Sequence, residues 1–532
     1  MMKIQVYDAN TWLFPTAKFS VEQRNISLDS VRNADVCFQV LTNLNLPENT
    51  DFSYTAEGVP EGVGLTVSEM RPVLVSHNSA LDHHETQNYD EVKDFVIAKA
   101  PFEVFDLVRP IENSKLLGGR TAFLVRIDVA EDAQPGDYSI KVTFRCGAVS
   151  SLANVELRVY KTVLKSSYES DYSMTHWIYP DTVAKVHKVE RFSEEYYSWF
   201  EKYLADQIDM RNNYFQLPTA IPVKDEQGRI VDFDFSECDR IAQICLKLGF
   251  KVIYGGFVSH FKHWNEPDYY FVWDMDQLIE TNEGYRQLKL YFEGVKKFIE
   301  RNGLSDNYMQ GLVDEPQVPN SLAYKALCCT FRTLVPGVKI IDPIETPNIT
   351  GSCDIWVVKQ AVYDKYKAQF DELIDMGEEF WVYSCGFPAN KWMNHILDIP
   401  LTATRLITWM GVYYGMNGFL HYGYNAFHDG MDTMRDTNAP IKFRGEQRYF
   451  PAGNHNLIYA KEDGIFSSLR SNVQRMGAAD AELLLRLRKL DKKQCEDLIR
   501  LVCTDFQTYT ADGALVERVR RLVFEALDKL GA

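Results

Sequence analysis

Tyr308-Met309-Gln310-Gly311-Leu312-Val313-Asp314-Glu315-Pro316 is an apolar run that stops at two adjacent carboxylates. The spacing predicts a buried strand over 308–313 with an acidic tip. Pro316 disfavours the helical region for Glu315 and cannot donate to a sheet ladder, so the strand ends where the acids begin. Asn320 is the predicted N-cap of an amphipathic helix over 321–334. Strand, acidic tip, loop and helix make a βα unit, and in α/β barrels the functional groups sit at the C-terminal ends of the strands. A carboxylate pair there suits glycoside hydrolysis, in which one acid carries a proton and the other a charge.

The same rhythm extends to both sides of this stretch. Apolar runs predict strands over 172–177, 213–217 and 251–257 before it, and over 338–341, 354–358, 380–384 and 418–422 after it. Helical periodicity over 193–210, 236–248, 284–301, 363–376 and 401–414 fills the intervals. Eight strands with interleaved helices predict an α/β fold, a (β/α)8 TIM-type barrel over 166–490 closed by a helix over 468–490. A flavodoxin-like sheet of fewer strands is the alternative. Residues 1–165 read as short alternating strands, such as 35–41, 102–108, 121–128 and 137–144, with Asp132-Ala133-Gln134-Pro135-Gly136-Asp137-Tyr138 as a turn. That pattern predicts an all-β sandwich domain. Residues 491–532 read as a C-terminal helical extension. No G-x-G-x-x-G opens a helix and no P-loop occurs, so no cofactor is expected.

Composition narrows the partners. A formal charge of −17 over 532 residues argues against nucleic acid and against an anionic membrane surface, both of which need clustered Lys and Arg. No stretch reaches the ~18 apolar residues of a membrane span. The start, Met1-Met2-Lys3-Ile4-Gln5-Val6-Tyr7-Asp8, enters a strand pattern without an apolar leader, and the ten cysteines show no C-x-x-C spacing. Both point to reduced thiols in a cytoplasmic protein. Aromatic residues make up 13%, a share suited to walls on which the CH faces of a sugar pack.

Strand ends of the predicted barrel bring one constellation together: His176 and Trp177, Gln216, Asp314 and Glu315, Tyr383, then Tyr422, Tyr424 and Asn425. The set is aromatic and amide-rich and poor in Lys and Arg, as a site for a neutral glycan requires. Two metal readings compete with it. His260 and His263 flank Trp264 and Glu266 without a compelling further ligand, and His83-His84-Glu85 lacks a spaced third one, so no metal is expected. Ser384-Cys385-Gly386 is the best nucleophile candidate at a strand end, but no His–Asp arrangement accompanies it.

Val313-Asp314-Glu315-Pro316, Trp381-Val382-Tyr383-Ser384-Cys385, Arg405-Leu406-Ile407-Thr408-Trp409 and Gly418-Phe419-Leu420-His421-Tyr422-Gly423-Tyr424-Asn425 resemble successive motifs of glycoside hydrolase family 123 and the related domain of unknown function 4091. Ser468-Leu469-Arg470 with Arg475, Gly477, Asp480 and Glu482 is similar to that family's closing-helix motif, and Asp35 to Val40 with the Pro135-Gly136-Asp137-Tyr138 turn to its sandwich. The resemblance implies a β-sandwich followed by a barrel, and retaining hydrolysis of β-linked N-acetylgalactosamine assisted by the substrate's own acetamido group. It implies Glu315 as general acid/base and Asp314 as the group that orients the acetamido nitrogen, and it adds Trp409 to the expected sugar-binding residues. On this reading Asp314 is charged while Glu315 is protonated, and Asp342 is the reserve nucleophile. The chain departs from the family pattern at His421-Tyr422, where Tyr-Trp is usual, and at Asn472 and Ala479, where Glu is usual. The rival readings are a glycoside hydrolase of another sugar specificity and a catalytically silent carbohydrate-binding protein.

Overall fold

The computed structural model describes residues 2–85 and 88–531. Up to Val163 the chain is mostly β-strand, in two sheets. Along the strand Ala34–Leu46, Val36, Phe38 and Val40 point to one side and Cys37 and Leu41 to the other, the alternation of a pleated strand covered on both faces. The first set meets Phe123, Val142, Phe144 and Leu157 in a core shared by a seven-stranded and a five-stranded sheet. The second packs with Leu107 and Leu124 against Leu469, Val473 and Met476 of the long helix Leu469–Leu490. Two of the seven strands, Tyr459–Lys461 and Gly464–Ser468, come from far along the chain. The latter pairs with Phe102–Pro110 through Ser467 opposite Val108 and Ser468 opposite Leu107.

All eight strands predicted for the barrel are present, as Ser173–His176, Tyr214–Gln216, Val252–Gly255, Tyr308–Gln310, Lys339–Ile344, Ile355–Lys359, Glu379–Ser384 and Gly418–His421. They form one parallel sheet in the spatial order first, eighth, seventh, sixth, fifth, fourth, third, second. The barrel is nearly closed. Asn213 spans the seam between the first and second strands: its backbone N–H donates to Met174 O at 3.1 Å and its Oδ1 accepts from Met174 N at 2.8 Å. Trp381 and Tyr383 turn inward with Tyr214, Tyr254, Val357 and Leu420, while Phe380 and Val382 turn outward to the helices.

The connections differ from the expected pattern in two places. Between the fifth and sixth strands stands only a 3₁₀ turn, Pro347–Ile349, because the interval is too short for a helix. The helix expected over 363–376 is two pieces, Gln360–Lys365 and Lys367–Asp375, broken at Tyr366. Long excursions follow the third strand, with three short strands between Ser259 and Leu278, and the eighth, with the hairpin Pro440–Phe443 and Glu446–Tyr449.

Buried ion pairs fasten the helix Leu469–Leu490 to both parts of the molecule. Arg470 Nε lies 2.9 Å from Asp106 Oδ2 and Arg475 Nη2 lies 2.7 Å from Asp35 Oδ2, both acids in N-terminal strands. Asp480 joins Arg405 at 2.7 Å and Arg520 at 2.8 Å. After it come the helices Lys492–Ile499 and Gly513–Leu530, with an unforeseen hairpin of Cys503–Asp505 and Thr508–Tyr509 between them. No helix among the described residues is long and apolar enough to cross a membrane.

Candidate active site

The fourth strand leaves the ladder after Gln310, and its continuation is held by a buried acid. Asp342 Oδ1 accepts from the backbone N–H of Leu312 at 2.8 Å and of Val313 at 3.2 Å, and Oδ2 accepts from Tyr324 OH at 2.7 Å. Both oxygens are thus occupied away from the cavity, and Asp342 is not placed to act as a nucleophile. Two residues on, Glu315 adopts φ +53°, a region sparsely used by side-chain-bearing residues. That turn brings Asp314 and Glu315 to one cavity, where a straight strand would send them to opposite sides. Glu315 N donates to Pro343 O at 3.1 Å and Glu345 N to Pro316 O at 3.2 Å, so the ends of the fourth and fifth strands are tied together. Asn320 stands at the N-cap of the helix Ser321–Leu334, as expected, but its side chain makes no capping bond; its Oδ1 accepts from Gln317 N and Tyr269 OH, both at 2.7 Å, which fixes this loop to the excursion after the third strand.

The cavity measures about 350 Å³, within the usual range of small-ligand sites. Trp177, Asp314, Glu315, Tyr383, Leu420 and Tyr422 line it from the sheet, and His83 and Phe450 from its lip. Trp177 Nε1 donates to Tyr254 OH at 2.8 Å and Tyr422 OH to Asn454 Oδ1 at 2.8 Å, which sets the planes of both rings. His83 reaches across from the N-terminal part and stacks on Phe450 with centroids 4.7 Å apart. Gly386 makes that approach possible, since a Cβ there would stand 2.9 Å from His83 Nδ1 and 3.1 Å from the Phe450 ring. A larger hollow of about 690 Å³ borders Asp35, Arg126, Asp209 and Arg475, whose charges are spent on one another.

Charge is unevenly shared among the acids. Tyr383 OH donates to Glu315 Oε1 and also lies 3.1 Å from Glu345 Oε1. Lys359 Nζ is 3.1 Å from Glu315 Oε1 and in contact with Glu345 Oε1. Asp314 accepts no hydrogen bond from any described residue. Burial, and then the neighbouring Glu315 carboxylate, push the Asp314 carboxyl well above the usual range against the pull of Lys359. Burial raises Glu345 as well, opposed by Lys359. Burial opposes the charge on Lys359, but Glu315, Cys385 and Glu345 outweigh it and hold the ammonium protonated. In the free site burial and the neighbouring carboxylate thus favour the neutral form of Asp314. It has neither the ammonium nor the phenol that Glu315 has.

The remaining sequence candidates divide by strand parity and position. His176 points outward, with Nδ1 2.8 Å from Asn212 Oδ1, and burial holds its pKa down at about 4. Gln216 shares the inward face of Tyr214 but does not line the cavity. Tyr424 donates to Asp206 Oδ2 at 2.6 Å, Asn425 Oδ1 accepts from Tyr179 N at 2.8 Å, and Trp409 Nε1 donates to Asp480 Oδ2 at 3.1 Å. All three are fully buried structural residues outside the cavity. His421 is buried behind the eighth strand, so of the departing pair only Tyr422 faces the cavity. Lys359 and Glu345 are not among the residues the sequence singles out, although each ends an apolar run as Asp314 does: Ile355-Trp356-Val357-Val358-Lys359 and Ile340-Ile341-Asp342-Pro343-Ile344-Glu345. His83 and Phe450 had no such signal.

Asp82, His83 and His84 are the one group among the described residues whose metal-ligating atoms gather within 4.8 Å of each other. Asp82 Oδ1 accepts from His84 N at 2.9 Å and lies 3.4 and 3.2 Å from the two Nδ1 atoms, while His83 Nδ1 is buried without a hydrogen-bond partner among the described residues. His260 and His263 gather no third ligand among the described residues.

The family profile described as "Glycoside hydrolase 123, catalytic domain" matches residues 177–487. A solved structure of a family 123 glycoside hydrolase from Clostridium perfringens, reported for the details of glycolipid glycan hydrolysis, is similar in fold. It has TM-score 0.74 and 13% identity, with 99% of this chain and 97% of that one covered. Weaker likenesses are a β-glucuronidase from Parabacteroides merdae (TM-score 0.30, 9% identity, 85% and 50% covered) and a GH10 xylanase with a bacterial Ig-like domain from termite gut (TM-score 0.32, 10%, 67% and 90%). No curated protein sequence matches the chain.

Proposed function

The chain belongs to glycoside hydrolase family 123, and on that premise we propose that it is a retaining exo-glycosidase releasing a terminal β-linked N-acetylhexosamine, galacto-configured, with the substrate's acetamido group as nucleophile. The reading takes the nearly closed sheet as a (β/α)8 barrel whose strand ends carry the chemistry. The observation that carries it is the asymmetry of the acid pair. Asp314 faces the cavity without a protein donor, and Glu315 beside it is held by Tyr383 and Lys359.

An acetamido N–H entering the cavity needs an acceptor, and a hydrogen bond to the carboxylate favours ionised Asp314. With Asp314 ionised by that bond, the proton that the adjacent pair retains rests on Glu315, since neighbouring carboxyls titrate as one unit. Glu315 gives this proton to the glycosidic oxygen as the C1–O bond breaks, while the acetamido carbonyl oxygen forms its bond to C1. Positive charge develops on the acetamido nitrogen, and Asp314 stabilises it. Glu315, now a carboxylate, takes a proton from the water that attacks C1 as the bond from C1 to the acetamido oxygen breaks and the acetamido group is restored, and the anomeric configuration is retained.

No carboxylate is better placed to attack C1. A retaining enzyme of that kind holds its two carboxyls ~5–5.5 Å apart across the bond. Adjacent residues do not straddle one bond, Asp342 is enclosed, and Glu345 is tied to Lys359 and Tyr383. The glycan of a glycolipid, the substrate class named for the Clostridium perfringens enzyme, is the natural substrate we assign. The test is a panel of aryl β-glycosides: the N-acetyl-β-galactosaminide should be hydrolysed with retention and inhibited by its thiazoline analogue, and the plain β-galactoside should be nearly inert. Efficient hydrolysis of the plain β-galactoside would overturn the mechanism.

A further inference from the structure

Two carboxylates compete for the same two donors. Tyr383 has one O–H, and its oxygen lies within hydrogen-bond reach of both Glu315 Oε1 and Glu345 Oε1, so it serves one of them at a time. Lys359 contacts the same two oxygens. Its side chain is only 4% exposed and its Nζ lies 5.6 Å from the ring centres of both Tyr383 and Phe387, so the ammonium finds its partners in the two acids and is divided between them. The backbone bonds that tie Glu315 to Pro343 and Glu345 to Pro316 keep both carboxylates in place.

We infer that Glu345 is a positioning residue for the reaction: it draws Lys359 and the Tyr383 proton toward itself and so leaves Glu315 free to hold the proton that the leaving oxygen needs. The inference rests on the reading of Glu315 as the acid. An ammonium and a phenol aimed at Glu315 alone would stabilise its carboxylate and oppose that role. A second carboxylate reaching the same donors relieves this, and neither Glu345 nor Lys359 has to touch the sugar. The other ionisable groups that face Glu315 are Asp314, His260 and Cys385, and His83 faces Lys359. None of these offers Lys359 a second close carboxylate.

With one proton between Asp314 and Glu315, the basic limb of the kcat/KM pH profile reports the loss of that shared proton from the free enzyme. Glu345→Gln keeps the shape of the side chain and leaves Lys359 to Glu315 alone, so the limb should move to lower pH by about one unit or more, the size of an unshared close ion pair. Turnover of a substrate with a poor leaving group should fall about tenfold near neutral pH, with KM little changed. Lys359→Met should move the limb the other way, and the double variant should follow Lys359→Met. If Glu345→Gln destabilises the protein, Glu345→Asp, whose shorter reach weakens the competition, should give a smaller shift of the same sign. An unmoved limb, or one moved upward in Glu345→Gln, overturns the inference. Glu315→Gln is the control: if it retains activity on the same substrate, the acid assignment has failed rather than the role of Glu345.

Discussion

Asp314→Asn preserves the size of the side chain and removes its charge, and the structure gives it opposite effects on catalysis and on stability. An amide stabilises the developing positive charge far less than a carboxylate does. Losing one preorganised group of this kind lowers kcat by about 10²–10³, or ~3–4 kcal/mol. The acid limb of the kcat/KM profile should disappear as well. Burial and the Glu315 charge beside it raise the Asp314 carboxyl, the acid limb reports the first proton lost from the doubly protonated pair, and asparagine leaves the pair with one titrating carboxyl.

The sign of the stability effect follows from linkage. The folded carboxyl keeps its proton at pH values where the unfolded chain, with a carboxyl near pKa ~4, has lost it. The contribution is fully present below that lower value and is lost as pH rises through the folded one. Asparagine suffers no such loss, so the variant should melt above the wild type near pH 7, and the gap should close toward about pH 4. Calorimetry across that interval, run beside hydrolysis of an aryl N-acetyl-β-galactosaminide, measures both effects. A variant that melts lower at neutral pH, or by the same margin at every pH, would refute the picture of a buried carboxylate without a donor. Activity within about tenfold of wild type would refute its role.

Four further outcomes are expected. Glu315→Gln should lose about 10²–10⁴ in turnover with a poor leaving group and much less with an activated aryl glycoside; equal losses on both would remove it as the acid. Trp177→Ala and Tyr422→Ala should raise KM with little change in melting temperature, whereas Trp409→Ala should destabilise by about 3–5 kcal/mol and leave the kcat/KM of the folded fraction intact; unfolding of the first two would make them core residues. Prolonged chelation should leave activity unchanged, and a loss restored by Zn²⁺ would bring Asp82, His83 and His84 into the reaction. Asp106→Asn should cost about 3–5 kcal/mol by leaving Arg470 charged and buried without its carboxylate, as a shift in the denaturant midpoint would show.

The eight strands were legible because parallel barrel strands are buried on both faces and read as unbroken apolar runs. The acidic tip was legible because proline punctuates it. Which strand-end residue turns inward was not, since a shift of one residue exchanges the faces: Trp177 lines the cavity while its neighbour His176 is sealed behind the sheet. Tyr424 and Asn425 lie past the end of their strand, where alternation no longer applies, and Trp409 belongs to the interior of the helix Thr402–Tyr413. The pairing of Lys359 with Glu345 and Glu315 is a long-range fact that no local pattern encodes. The cavity lip is harder still, because His83 and Phe450 come from loops far apart in the chain and meet only through Gly386.

The strands Tyr459–Lys461 and Gly464–Ser468 bear on how the molecule is made. During synthesis, Phe102–Pro110 emerges about 350 residues before the strand that pairs with its free side. At ~5–20 residues per second the ribosome needs about 20–70 s to deliver that partner. Throughout this interval the nascent sheet presents an open edge of the kind that recruits foreign strands, and Asp106 within it waits for Arg470. The N-terminal sheet is therefore completed late although it is translated first, and an expression host that slows elongation or lacks chaperone capacity prolongs the time during which this part of the chain is exposed to aggregation.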